Sequence, residues 1–484
     1  MRITARIYRF DPVCDSEPSY RTYTVDVEEG ARVLHLLHAV HEGDPTLSYR
    51  YCCGTGQCGS CAVRVDGTPV LACMEEARNG ITIEPLNLPI EKDLVIDMQP
   101  ALSRLAGIVP GPDEGRTPTH EEVEVIKPLR ECIECLACVS VCPAMEVAEF
   151  TGPTAMRQQM RLTLDPRDRA DRITQAIRDG LFTCTTCQNC WKVCPKDIQI
   201  PGKAIEKLRA IANREGLTLP RHQEIEQLIK ETGRSVPRGN APFLEQVPEV
   251  IEPEGEVRKT VGFFVGCMYD FRLPSAALDA IEVMRRNGIR VIIPHEQVCC
   301  GSPLIRTGQL RYLELLKRRN IQAFTSQGID TVVTMCAGCG STLKNDYQTP
   351  FVVKDITEIL TELGTETPSR LPYKVVYHDP CHALRGQGLR EPARILLQDV
   401  VEVVEVPQKC CGAGGGTRSG CPDVSAALGK KRAEYLAETG ADVIVSCCPF
   451  CEYHIGGFAD RPVKNITTVL REAYEKNERP ACPD

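Results

Sequence analysis

Cys53, Cys58, Cys61 and Cys73 stand in the order C-x4-C-x2-C-x11-C, most of it inside YCCGTGQCGSC. Four thiolates at this spacing suit two irons, the arrangement of a plant-type 2Fe–2S loop. Gly54, Gly56 and Gly59 permit the unusual φ values of a tight reversal and leave room for a cluster. Zinc is the rival chemistry, but four-residue gaps are uncommon for it. Further along, CIECLACVSVCP (132–143) and CTTCQNCWKVCP (184–195) both read C-x2-C-x2-C-x3-C-P. In two-cluster runs of this kind the fourth cysteine ligates the other cluster. One 4Fe–4S set is therefore Cys132, Cys135, Cys138 and Cys194, and the other is Cys184, Cys187, Cys190 and Cys142. Pro143 and Pro195 direct the chain onward after the last ligand of each run.

A third pattern occurs twice. The first copy is Cys267-x31-Cys299-Cys300-x35-Cys336-x2-Cys339, and the second is Cys381-x28-Cys410-Cys411-x36-Cys448-x2-Cys451. Adjacent cysteines in a tight turn can hold irons that a single cube would not use. Zinc, an ordinary cubane and a vicinal disulfide are the other chemistries open to these spacings. Cys447 competes with Cys448, because it matches the first copy's gap; Cys448 keeps the C-x2-C, and two thiolates three apart chelate one metal group from a single turn. The glycines after Cys411 are expected to bring backbone N–H groups close to a cluster and a substrate sulfur. The triplet CCG occurs three times, at 52–54, 299–301 and 410–412. The last two share one chemistry, and the first does not. The sets hold 22 of the 27 cysteines. Cys14, Cys52, Cys421, Cys447 and Cys482 remain as structural or free thiols, with Cys482 expected to be inert.

His378 and His382 flank Cys381 in YHDPCHALRG. His382 is a candidate proton carrier or donor to a substrate thiolate, with capping or packing as the alternative. Arg306, Arg385, Arg390, Lys409 and Arg418 lie near the CCG turns, where guanidinium groups suit an anionic substrate; a solvated basic rim is the plainer reading. No Ser-His-Asp arrangement, Walker loop or dinucleotide fingerprint is present, since GAGGG follows cysteine rather than a strand.

These sets need elements to hold them. Residues 2–11 and 20–27 alternate as a β-hairpin, ARVLHLLHAVHE (31–42) has helical spacing, and 62–73 with 81–86 read as short strands. The stretch 111–120 reads as a linker, 121–220 as mostly helical, and 233–256 as a second linker. VGFFVGC (261–267) and YKVVYHDPC (373–381) each begin a strand–helix alternation ending in TVVTMCAGC (331–339) or DVIVSCCPFC (442–451), which predicts two similar α/β lobes. The expected domains are 1–105 (2Fe–2S), 121–232 (helical, two-cluster 4Fe–4S), 257–365 and 371–475 (the two lobes), in a multidomain α+β and α/β chain. Hydrophobic content of 42% supports buried cores throughout, and a formal charge of −8 without a basic run makes nucleic acid an unlikely partner. MRITARIYRF has no apolar signal region and no stretch is long enough to span a bilayer, so a soluble cytoplasmic protein is expected. Dense cysteine in a reducing compartment points to metal or catalysis rather than disulfides.

On these motifs, residues 1–220 resemble the iron–sulfur subunits of succinate dehydrogenase and fumarate reductase, including DLVIDM (93–98). That family usually has an apolar residue at the position of Cys187, giving a 3Fe–4S centre by its quinone site. A cysteine there favours a full cube and weakens the case for quinone chemistry. Residues 260–470 resemble the CCG domain pair of heterodisulfide reductase catalytic subunits, which recurs in glycolate and glycerol-3-phosphate dehydrogenase iron–sulfur subunits. The combination resembles the iron–sulfur subunits of methanogen thiol:fumarate reductases. The resemblance implies a β-grasp 2Fe–2S domain and two non-cubane 4Fe–4S clusters, one on each set of five cysteines. It further implies oxidation of coenzyme M and coenzyme B thiols to the heterodisulfide there, and electron transfer to FAD in a flavoprotein partner that reduces fumarate to succinate. The alternatives are an iron–sulfur subunit linking such a flavoprotein to a heterodisulfide-reductase-type complex or another acceptor, and a zinc-stapled scaffold.

Overall fold

The computed structural model describes residues 1–113, 115–366 and 368–478; Cys482 lies outside the described residues. They form two compact units, Met1–Leu181 with Gln188–Leu208, and Phe182–Cys187 with Arg209–Asp484.

In the first unit, β1 (Arg2–Arg9) pairs antiparallel with β2 (Ser19–Asp26) along its whole length, Arg2 opposite Asp26 and Arg9 opposite Ser19. With β3 (Ala62–Val65), β4 (Thr68–Leu71) and β5 (Thr82–Glu84) they form one sheet, ordered β2-β1-β5-β3-β4. Strand alternation turns Ile3, Ala5 and Ile7 inward. The helix Val33–Gly43 presents Val33, Leu34, Leu36, Leu37 and Val40 to the same core, as its apolar stripe requires. Asp66 and Gly67 both take positive φ, 48° and 78°, so a two-residue turn joins β3 to β4 with a twist that matches the strands. β6 (Ile90–Lys92) and β7 (Val95–Ile96) form a ribbon around buried Asp93. Its carboxylate accepts from Arg9 Nε at 3.0 Å and from the N–H groups of Phe10 and Ser48 at 2.9 Å. The helices His120–Arg130, Pro153–Thr163 and Arg172–Arg178 follow. The stretch 111–120, expected as a linker, is tied down at its start, where Gly111 N–H donates to Asp168 Oδ1 at 2.8 Å and Arg169 pairs with Asp113 at 2.7 Å.

The second unit contains two sheets. β8 (Val250–Ile251), β9 (Lys259–Phe264), β10 (Ile289–Ile292), β11 (Thr331–Thr334) and β12 (Val352–Asp355) are ordered β12-β11-β9-β10-β8, all parallel except β8. β13 (Lys374–Tyr377), β14 (Glu402–Val404), β15 (Val443–Ser446) and β16 (Val463–Asn465) are ordered β14-β13-β15-β16, all parallel. Taken from β9 and from β13, both sheets run second-first-third-fourth. The duplication read from the cysteines is thus a duplication of topology. In such sheets the strand order reverses between the first and third strands, and ligands bind beyond the carboxyl ends there. The stretch 233–256 is packed rather than loose: Phe243 and Leu244, apolar residues in a polar run, enter the core, and β8 completes the first sheet. A single apolar core runs through both lobes. The helix Pro274–Arg286 of the first packs on Ile466–Glu478 of the second, with Thr468 Oγ1 donating to Asp279 at 2.6 Å.

Candidate iron–sulfur centres

The loop 53–73 reverses through Gly54, Gly56 and Gly59, at φ +66°, +71° and +73°. That geometry aims amides at sulfur. Thr55 and Gln57 N–H groups donate to Cys53 Sγ at 3.4 and 3.3 Å, and Gly56 N–H donates to Cys73 Sγ at 3.3 Å. The Thr55 and Gln57 amides hold the Cys53 thiol down at about 6, whereas burial pushes Cys61 up to about 11. Cys53 lies beside Cys58, and Cys61 beside Cys73, so the loop brings the predicted four thiols together. Cys52 is exposed.

The two tight cysteine runs share one backbone conformation. Glu134 and Leu136 have φ of 52° and 63°; Thr186 and Gln188, at the same places in the second run, have 49° and 65°. Non-glycine residues seldom accept this left-handed region, and successive amides so arranged form an anion-binding concavity. Cys132, Cys135, Cys138 and Cys194 are brought together in the first unit, where burial pushes Cys135 up to about 11 and Cys138 up to about 12. Of the other set, Cys142 and Cys190 belong to the first unit, and Cys184 and Cys187 to the second.

In the second unit every predicted lobe cysteine follows a strand end. Cys267 follows β9, Cys299 and Cys300 follow β10, and Cys336 and Cys339 follow β11. Cys381, Cys410 with Cys411, and Cys448 with Cys451 stand likewise after β13, β14 and β15. All ten line one cavity of about 890 Å³. Sulfurs succeed one another along it. Cys267 lies beside Cys299, Cys300 beside Cys339, Cys339 beside Cys336, Cys336 beside Cys448, Cys448 beside Cys451, and Cys411 Sγ is 3.5 Å from Cys451 Sγ. Cys336 and Cys448 are thus the point where the lobes meet in sulfur. The CCG glycines explain themselves here. Gly301 and Gly412 have φ of 82° and 87° and send their N–H groups to Cys299 Sγ at 3.5 Å and Cys410 Sγ at 3.3 Å. A Cβ on Gly412 would stand 2.6 Å from Leu428 Cβ. Cys447 points elsewhere, accepting a hydrogen bond from Tyr377 Oη at 3.1 Å.

A sulfur-dominated donor set, largely buried and met by backbone N–H groups, fits a soft thiophilic cation or an iron–sulfur cluster. Neighbouring thiols, and then burial, drive Cys267 and Cys451 well above the ordinary thiol value, so bound positive charge is needed to stabilise thiolates there. His378 is fully buried beside Cys411 and Cys451, and its Nδ1 accepts from Arg432 Nε at 3.0 Å. Its charge is suppressed by burial and then by Arg432. His382 lines the cavity while its Nε2–H donates to Thr186 O at 3.2 Å, which matches the packing alternative.

Residues 4–103 match the 2Fe–2S iron–sulfur cluster binding domain, 128–198 the 4Fe–4S dicluster domain, and 261–344 and 375–456 the cysteine-rich domain. The chain is 40% identical to a fumarate reductase (CoM/CoB) subunit of Methanothermobacter marburgensis, across 98% of this chain and 99% of that one. The chain belongs to the family of that fumarate reductase (CoM/CoB) subunit. It is also 28% identical to a dihydromethanophenazine:CoB–CoM heterodisulfide reductase subunit of Methanosarcina barkeri, over 71% of this chain and 94% of that one. It is 35% identical to the succinate dehydrogenase iron–sulfur subunit of Paracoccus denitrificans, over 42% and 85%. A hypothetical protein from Helicobacter pylori shares the fold at 12% identity, with a TM-score of 0.65, covering 98% of this chain and 95% of that one.

As a member of the fumarate reductase (CoM/CoB) family, the chain is an iron–sulfur electron-transfer subunit of an oxidoreductase complex, with 2Fe–2S, 4Fe–4S and cysteine-rich domains in a mixed α/β architecture. No helix among the described residues is long and apolar enough to cross a membrane. Of the five basic residues singled out from sequence, Arg306 and Arg418 line the cavity. Arg390 pairs with Glu391 at the surface, Lys409 lies over the Tyr435 ring, and Arg385 donates to Cys187 O. Arg221 and Arg272 also line the cavity and were missed: Arg221 lies 46 residues from the nearest lobe cysteine along the chain, and Arg272, five residues after Cys267, stands away from the CCG turns in sequence. The run Met268–Tyr269–Asp270–Phe271 gives no hint that Arg272 turns back to the same void.

Proposed function

We propose that this subunit oxidises two anionic thiols, coenzyme M and coenzyme B, to their mixed disulfide in the lobe cavity, and delivers the electrons to FAD in a flavoprotein partner that reduces fumarate to succinate in the cytoplasm. The carrying observation is that the ten cysteines of both lobes line one cavity and meet at Cys336 and Cys448. Cys53, Cys58, Cys61 and Cys73, in a β-grasp domain, would hold one 2Fe–2S cluster. Cys132, Cys135, Cys138 and Cys194 would hold one 4Fe–4S cluster, and Cys184, Cys187, Cys190 and Cys142 a second. Cys267, Cys299, Cys300, Cys336 and Cys339 would hold one non-cubane cluster, and Cys381, Cys410, Cys411, Cys448 and Cys451 another. When bound, such clusters supply one-electron steps and stabilise thiolate sulfur.

The protein's own part is positioning. Arg221, Arg272, Arg306 and Arg418 receive the anionic ends of the thiols, since guanidinium pairs with sulfonate, carboxylate or phosphate through two parallel hydrogen bonds. The shared cavity sets each thiol against one lobe, which brings the two sulfurs to each other rather than to water. Each turnover oxidises two thiols to one disulfide, releasing two protons and two electrons, and fumarate consumes two of each. The test is an anaerobic assay of the complex purified with its flavoprotein, supplied with both thiols and fumarate. Cys300→Ala and Cys411→Ala are expected to abolish thiol oxidation while the partner's dye-linked fumarate reduction persists; equal loss of both activities would refute the division of labour.

A further inference from the structure

The two lobes share one topology, yet different segments cover their cysteines. In the first lobe the cover is the helix Pro220–Thr232 and the residues after it. Ile225 and Ile229 pack with Cys267 and Cys299, and Ser235 N–H donates to Cys267 Sγ at 3.4 Å. In the second lobe the cover is the turn Cys184–Cys187. Arg385, in the turn after the helix Cys381–Leu384 and only 7% exposed, donates from Nε to Cys187 O at 2.7 Å. Thr417 Oγ1 and Arg209 Nη2 both donate to Cys184 O, at 3.1 and 2.8 Å. Cys410 Sγ lies within hydrogen-bonding reach of Cys187 and Cys381, and 3.5 Å from Thr185 Oγ1.

The glycine run has its place in this contact. A Cβ on Gly415 would stand 2.6 Å from Cys184 O and 2.5 Å from the carbonyl carbon of Thr185. The glycines after Cys411 therefore admit the Cys184–Cys187 turn, a different use from the one expected of them. The first lobe has neither device: Phe271 stands at the place of Arg385, four residues after the lobe's first cysteine, and CCG is followed by Ser302–Pro303.

We propose that Arg385 is the positioning residue of a single electron exit, which joins the cysteines of the second lobe, and not those of the first, to the Cys184–Cys187 turn. The proposal rests on the function proposed above. Electrons taken from either thiol leave through the second lobe, those from the first crossing at Cys336 and Cys448. With clusters bound, each electron leaving the second-lobe cysteines would reduce the cluster held in part by Cys184 and Cys187 by one, and two such transfers would accompany each disulfide formed. The guanidinium does two things there. Its Nε–H fixes the Cys187 carbonyl while Nη1 of the same fork donates to Gln408 Oε1, and its charge, beside Cys381, Cys410 and Cys187, favours the more negative, reduced state of whatever those sulfurs hold.

The test is a redox titration of the anaerobic holo-complex followed by electron paramagnetic resonance, with iron content measured in parallel, on Arg385→Gln and Arg385→Lys. Arg385→Gln is expected to keep its iron. It should lower the reduced-to-oxidised ratio of the Cys184–Cys187 centre about tenfold at fixed potential, about 59 mV for one electron, and reduce kcat with KM unchanged. Arg385→Lys, which keeps the charge but not the fork, should titrate as the unaltered protein does while kcat still falls. An unshifted midpoint in a fully iron-loaded Arg385→Gln overturns the proposal. If Arg385→Gln loses iron, Arg385→Lys decides: an unshifted midpoint with lowered kcat supports the proposal, and a tenfold shift or an unchanged kcat overturns it. Lobes without iron in the unaltered complex would instead refute the cluster assignment on which the proposal rests.

Discussion

Cys447 and Cys448 are neighbours in sequence with different surroundings, and replacing each by alanine separates a structural thiol from a proposed ligand. Cys447 Sγ accepts from Tyr377 Oη at 3.1 Å, and both residues are at most 3% exposed. Cys447→Ala leaves that buried hydroxyl without its acceptor, at a cost of about 1–3 kcal/mol. The space left by the sulfur adds about 1 kcal/mol. The sum, about 2–4 kcal/mol, is large against the net stability of a typical domain. Cys447→Ser keeps an acceptor and nearly the same volume, so most of the loss should return. Neither change should alter iron content. Cys448 lines the cavity beside Cys336 and Cys451, and Cys448→Ala should remove the second lobe's iron, about four atoms of the proposed cluster. The assay pairs iron analysis of anaerobically purified variants with urea unfolding followed by tyrosine and tryptophan emission. Iron loss in Cys447→Ala together with full loading in Cys448→Ala would refute the reasoning.

Three further outcomes are expected. Gly412→Ala should destabilise the second unit by about 2–5 kcal/mol, since its φ is +87° and the new Cβ meets Leu428 Cβ at 2.6 Å. Gly67→Ala, in the β3–β4 turn at φ +78° with nothing within 4 Å, should cost only about 1–2 kcal/mol, and denaturant midpoints compare the two. Arg272→Gln and Arg418→Gln should each raise KM for the anionic thiols about tenfold with kcat little changed, and steady-state kinetics at two salt concentrations check this. His222, buried with Nε2 donating to Gly416 O at 2.9 Å, is held below the ordinary histidine value, first by burial and also by Arg209. The unfolded chain takes up the proton first as pH falls, so the stability contributed by neutral His222 is full above about pH 6.5 and declines below it. His222→Gln should flatten that part of the unfolding midpoint's pH profile.

Much of the site was legible because cysteine spacing is dictated by metal geometry before any fold is known. The four-residue gap at Cys53 and the doubled C-x2-C-x2-C-x3-C-P runs carry their chemistry in local sequence. The lobe repeat was legible for a related reason, since apolar strands ending in cysteine mark the carboxyl ends of a parallel sheet. The electrostatic and packing partners were not legible. Arg221 reaches the cavity from a helix in a region that reads as part of the ferredoxin-like half, and Phe243 is hidden in a run dominated by proline and charge. The glycines after Cys411 look like a cluster cradle in sequence, whereas only their distances to Thr185 reveal a backbone neighbour more than 220 residues away. Arg385 and Lys409 look alike as nearby cations, but one is buried against a carbonyl and the other lies on a tyrosine ring.

The helix Pro274–Arg286 of one lobe lies on the last described helix of the other, with Ala276, Ala277 and Ala280 buried alongside Val469, Leu470 and Ala473. A cut between the two copies would strip both helices of their apolar cover. The repeat is therefore not a pair of interchangeable cassettes. Each copy supplies part of the other's core, so removing one should unfold the sheet that carries the other's cysteines.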